Sequence, residues 1–115
     1  MLRDTRPVDW IKAARKAFEY FPSGARGATL GIHTAAADGG FPDYLKPMKG
    51  MGPGVYEIAL PYRGDAYRVI CTVQFKEALW VIHAFQKKSK PGIKTPQTHI
   101  GLVRKRLAGL KEESR

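Results

Sequence analysis

Apolar positions recur at helical spacing through the first third of the chain and alternate through its middle. Trp10, Ala14, Phe18 and Phe21, with Ala13 and Ala17 beside them, fall three to four residues apart and predict a helix that Pro22 ends. Ser23 can cap a second helix over residues 24–37, with Ala28, Ile32 and Ala36 on one face, until Asp38-Gly39-Gly40 breaks it. The Arg6–Ile11 stretch reads two ways, because Val8 and Trp10 alternate like a strand while Trp10 also fits the helix. From about residue 44 the period falls to two. Tyr44–Lys49 is a weak strand, followed by Gly50-Met51-Gly52-Pro53-Gly54 and then by Val55–Leu60 with Tyr56, Ile58 and Leu60 on one side. Past the polar turn Arg63-Gly64-Asp65, Tyr67–Phe75 is the clearest strand, with Tyr67, Val69, Cys71, Val73 and Phe75 on one face and Arg68, Thr72 and Gln74 on the other. Lys76-Glu77 turns the chain into Leu79–Phe85, so these strands form an antiparallel meander.

A loop at Pro91-Gly92 precedes a last helix. Thr95 can cap it and Pro96 suits its first turn, while Ile100, Val103, Leu107 and Leu110 make one apolar stripe that leaves Arg104, Lys105 and Arg106 largely outside. Helices, then an antiparallel sheet, then a closing helix define an α+β class. At 115 residues the chain is expected to be one domain over 1–115.

Composition changes the picture in one respect. The net charge is +10, from 20 Lys+Arg against 10 Asp+Glu, and +7 of it falls in residues 86–115. Such a surface suits a polyanion, with an affinity that falls steeply with salt, although the same lysines also suit a solvated face. A hydrophobic fraction of 43% supports a packed core. No apolar run approaches the roughly 20 residues of a membrane span, and the first ten residues lack the apolar stretch of a signal peptide. The single cysteine, Cys71, excludes an internal disulfide and suggests the cytosol.

Gly50–Gly54 lacks the lysine and helix of a phosphate loop, and His33, His83 and His99 lack a metal-ligand spacing, so neither metal nor cofactor is expected. The feature with chemical content is a convergence. In a hairpin closed at Lys76-Glu77, Arg63, Tyr67 and Arg68 lie beside the end of the next strand, near His83, Gln86, Lys87, Lys88 and Lys90. Basic and phenolic groups of this kind can cleave RNA without metal. The 2′-hydroxyl attacks the adjacent phosphorus, a base takes its proton, cations hold the pentavalent phosphate and an acid protonates the leaving 5′-oxygen.

Val55-Tyr56-Glu57-Ile58, Tyr67-Arg68-Val69-Ile70 and the run from Ile82 to Lys90 that includes His83-Ala84-Phe85-Gln86-Lys87-Lys88, then Thr95-Pro96, resemble the HigB-like branch of the RelE/ParE toxin superfamily, which includes phage-derived toxins of type II toxin–antitoxin systems. The resemblance implies a compact α+β domain, N-terminal helices packed on a curved antiparallel sheet, with Arg6–Ile11 as a first edge strand. It implies a ribosome-dependent mRNA endonuclease acting in the cytoplasm, without a membrane, and silenced by a helix-turn-helix antitoxin. Arg68, Lys87 and Lys88 match the family's basic catalytic positions, His83 matches its HAF position, and Tyr67 is a further proton-carrier candidate. His83 shares strand parity with Leu79, Val81 and Phe85, which equally suits a packed core histidine. Lys49, Arg63, Lys90 and Lys94 are the expected RNA contacts. Two features depart from the RelE pattern: Glu57 and Ala59 stand in a strand that often carries lysines, and no tyrosine follows Lys90. The alternatives are a ParE-like gyrase inhibitor and a phage-derived basic binding module without catalysis.

Overall fold

The computed structural model describes residues 6–75, 77–87 and 95–113. Its elements in chain order are β1 (Val8–Trp10), α1 (Lys12–Phe18), α2 (Ser23–Ala37), β2 (Leu45–Pro47), β3 (Val55–Tyr62), β4 (Asp65–Thr72), β5 (Leu79–Lys87) and α3 (Gln97–Glu113). The strands form one sheet in the order β1-β5-β4-β3-β2. Short turns make β2–β3, β3–β4 and β4–β5 antiparallel, whereas β1 adds to β5 in parallel, so the sheet is mixed. The crossover through α1 and α2 is what permits a parallel edge. Arg6–Ile11 is thus a strand at its centre, as the family resemblance implies.

Alternation along each strand sends one set of side chains to each face. On one face Ile58, Leu60, Tyr67, Val69, Cys71, Leu79 and Val81 pack against Ala14, Phe18, Phe21 and Ala25 of the N-terminal helices. On the other, Val55, Ile70 and Ile82 pack with Met48 and Met51 against Val103 and Leu107 of α3. The expected stripes of β3 and of α3 are those observed.

Four expectations are corrected. The buried stripe of α2 is Ala25, Thr29, His33 and Ala37, one position on from Ala28, Ile32 and Ala36. Polar residues can take such a stripe when locally accommodated, and the Thr29 hydroxyl donates to the carbonyl oxygens of Ala25 (2.9 Å) and Arg26 (3.1 Å). Ser23 is the first helical residue rather than the cap; Pro22 holds that position. Strand β4 ends at Thr72 because the Thr72 hydroxyl donates to Gly54 O and accepts from the Gln74 N–H, replacing ladder bonds. Finally, Ile70 pairs with His83 and Cys71 with Val81, which leaves Ile82 without a register partner on β4. This bulge breaks the parity: Leu79 and Val81 face the N-terminal helices, while His83 faces α3.

Candidate active site

Helix α3 packs on its face of the sheet through Val103 and Leu107, and beyond that apolar stripe the same face carries polar groups. Glu57 and Arg68 lie on neighbouring strands with the parity of Val55 and Ile70, hence on the α3 face. Arg68 Nη1 is 3.3 Å from Glu57 Oε2, an ion pair whose side chains are only 14% and 16% exposed. Thr95 completes the group: its hydroxyl donates to Glu57 Oε2 at 2.6 Å and accepts from Arg68 Nη1 at 3.1 Å. The hydroxyl expected to cap α3 is therefore turned to the sheet, and the Pro96 carbonyl receives the N–H groups of His99 and Ile100.

Arg68 stands opposite Phe85 and Ala66 opposite Lys87, which brings Lys87 diagonally beside the guanidinium. The convergence expected from the hairpin is present for these two residues. Desolvation, then repulsion from Arg68, lowers the Lys87 ammonium from its ordinary value, while Glu57 acts the other way. Lys46 of β2 pairs with Glu57 and so shares this face, an exposed cation that sequence reading did not single out.

A second group adjoins the first. His83 Nε2 lies 2.7 Å from His99 Nδ1, and His83 Nδ1 lies 3.2 Å from Arg106 Nη1, which also donates to Ile82 O at 2.8 Å. The Phe85 and His99 rings stack in parallel at 3.8 Å. Burial first, then the neighbouring His99 and Arg106, pushes His83 down to about 4, and burial also lowers His99 and Arg106. Arg106, expected outside the packed stripe, instead reaches back to the sheet.

The remaining expected residues lie elsewhere. Tyr67 is 5% exposed in the core against α1 and α2, its ring 4.9 Å from that of Phe21, on the face opposite Arg68. Arg63 holds a left-handed turn (φ 50°) and lies over the Tyr62 ring at 5.4 Å. Lys49 is exposed in the turn between Met48 and Met51. Lys88, Lys90 and Lys94 lie outside the described residues. The Cys71 thiol is buried and pushed up to about 12, which silences it as a nucleophile. Among the described residues no three His, Cys, Asp or Glu side chains gather as a metal site, and no helix is long and apolar enough to cross a membrane.

A mixed five-stranded sheet packed on one face by the N-terminal helices and on the other by a C-terminal helix is the RelE-like architecture. A double mutant of the E. coli toxin RelE in the free state matches with a TM-score of 0.58 and 19% identity, over 88% of this chain and 97% of that one. The isolated E. coli RelE toxin gives 0.58 and 20%, over 87% and 98%. Within that fold, the chain belongs to the phage-derived protein Gp49-like family (DUF891), which matches residues 16–108. No curated protein matches it.

Proposed function

We propose that this protein is the toxin of a type II toxin–antitoxin system, of HigB-like kind, and that it cleaves mRNA on the ribosome without metal. The observation that carries the reading is Arg68, anchored by Glu57 and Thr95 and flanked by Lys87 on the α3 face of the sheet. The RelE-like fold and the phage-derived family support it. In the reaction the 2′-oxygen bonds to phosphorus and the P–O5′ bond breaks, leaving a cyclic phosphate and a 5′-hydroxyl. Glu57 accepts the 2′-hydroxyl proton, Arg68 grips the pentavalent phosphate, and Lys87, with its lowered pKa, returns a proton to the 5′-oxygen. Lys49, Arg63, Lys88, Lys90 and Lys94 extend the contact to RNA and ribosomal phosphates. A helix-turn-helix antitoxin silences the toxin in the cytoplasm.

Mapping mRNA 5′ ends after induction without antitoxin tests this reading. New ends inside translated frames are expected; stalled replication without new ends would instead identify a gyrase inhibitor. Arg68→Ala is expected to abolish growth arrest while antitoxin binding persists, and full toxicity in that variant removes Arg68 from the mechanism. The Glu57–Arg68 pair favours one second reading, a basic module that binds without cutting. Under it, wild-type protein binds RNA but no new 5′ ends appear, and neither Glu57→Gln nor Arg68→Ala changes cleavage, because there is none.

A further inference from the structure

The chain Arg106–His83–His99 has a forced direction. A guanidinium only donates hydrogen bonds, so at 3.2 Å the Arg106 Nη1 must donate to His83 Nδ1. An imidazole that accepts at Nδ1 and is neutral carries its proton on Nε2. His83 Nε2–H therefore donates across 2.7 Å to His99 Nδ1. By the same rule His99, accepting at Nδ1, carries its own proton on Nε2, at the far side of the ring from His83. Burial keeps His83 neutral, with a pKa of about 4, and lowers His99 as well.

His99 is well placed for a substrate. Its ring lies flat on Phe85 at 3.8 Å, and Phe85 is the cross-strand partner of Arg68 and stands two residues before Lys87. Four residues before His99, just ahead of α3, the Thr95 hydroxyl touches both Glu57 and Arg68. His83 is 6% exposed and cannot meet a ligand broadly, whereas His99 is partly open.

We propose that His99 is a further catalytic residue, a neutral Nε2–H donor to a non-bridging oxygen of the reacting phosphate, and that Arg106 and His83 are positioning residues that fix its tautomer. The inference rests on the RNA-cleavage reading above and sharpens it. A histidine whose Nδ1 is occupied and whose Nε2 is protonated cannot accept the 2′-hydroxyl proton, which leaves that role to Glu57. Nor does it give its proton away; it adds one uncharged donor where negative charge gathers on phosphorus.

Imidazole ¹⁵N spectra of the whole protein at neutral pH test the relay independently of activity. Both His83 and His99 are expected as Nε2–H tautomers, Arg106→Met is expected to populate the Nδ1–H form of His99, and Arg106→Lys, which keeps a donor-only cation, to restore the wild-type pattern. An Nδ1–H tautomer on wild-type His99 overturns the inference whether or not RNA is cut. For the donor role, cleavage of ribosome-bound mRNA is measured with His99→Phe, which keeps the stack on Phe85, and His99→Gln, which keeps an N–H. His99→Phe is expected to lose about 10²–10³-fold in kcat with little change in KM, and His99→Gln to recover part of it. An unchanged kcat in His99→Phe overturns the donor role. Wild-type protein with the stated tautomers but no cleavage overturns the RNA reading, and with it the substrate assigned to His99.

Discussion

His33 of α2 is fully buried, its ring 5.5 Å from that of Trp10 and 6.2 Å from that of Phe18, and among the described residues neither ring nitrogen has a hydrogen-bond partner. Burying such a polar group without a partner costs about 1–3 kcal/mol. His33→Leu is therefore expected to stabilise the fold by about 1 kcal/mol and to raise Tm by about 4 °C. Acid sharpens the test. Burial pushes His33 down to about 4 from 6.5, so between these values the unfolded chain binds the proton and the folded one does not. Stability is complete above pH 6.5 and is lost as pH falls toward 4. By pH 5 the loss from His33 is about 2 kcal/mol, and urea unfolding of His33→Leu at pH 7 and 5 should show the fall reduced by that amount. An equal fall in both proteins would disprove it. Nothing in the sequence marked His33, because the apolar rule selects Ala28 and Ile32, and a histidine enclosed by aromatic rings breaks that rule. Glu57 was legible only as a departure from a basic pattern; its meaning depends on Arg68 lying across the strand pair and Thr95 arriving from 38 residues away in sequence.

The elements themselves were largely legible, since period-two alternation and Gly/Pro punctuation mark β3, β4, β5 and α3 directly. Two local features were not. The bulge at Ile82 is invisible to a parity count, yet it alone turns His83 from the helix-packed face to the α3 face. The parallel edge β1 is three residues long, too short for periodicity to distinguish from the start of a helix. Helix α3 and the residue that leads into it meet the sheet through Thr95, His99 and Arg106 in addition to the apolar stripe of the helix. Thr95→Val removes the first tie and is expected to cost about 1 kcal/mol. Hydrogen exchange should accelerate at the first turn of α3 while β4 and β5 keep their protection; unchanged exchange there would show that the apolar stripe alone seats the helix. A tighter constraint joins α2 to the sheet. A methyl group at Gly24 would collide with the Tyr62 ring, so Gly24→Ala is expected to destabilise by about 1–3 kcal/mol, read as a lower urea midpoint. Because Tyr62 Cζ as well as the hydroxyl is struck, Tyr62→Phe should not rescue it.

For the molecule as a whole, the charge of +10 makes a quantitative demand on the RNA binding proposed above. Lys46, Arg68 and Lys87 share the α3 face of the sheet, and Glu57 neutralises part of that charge locally. For single-stranded RNA each neutralised phosphate contributes a slope of about −0.7 to log K against log salt, so these three cations alone give about −2. Engagement of Lys88, Lys90 and Lys94 as well would carry the slope to about −4. Anisotropy with a non-cleavable 2′-O-methyl RNA across roughly 50–300 mM salt measures it. Lys46→Ala and Lys87→Ala are each expected to flatten the slope by about 0.7. Glu57→Gln should tighten binding, since it removes the carboxylate charge that now offsets the Arg68 guanidinium. Lys49 and Arg63 then report the reach of the RNA. Lys49 lies in the turn between Met48 and Met51, and Arg63 lies over Tyr62 at the β3–β4 turn, so each changes the slope only if the RNA strand runs past Arg68 and Lys87 to that place. A slope near zero in the unmodified protein would mean that the basic excess serves solubility alone, and the sheet face would lose its claim to phosphate.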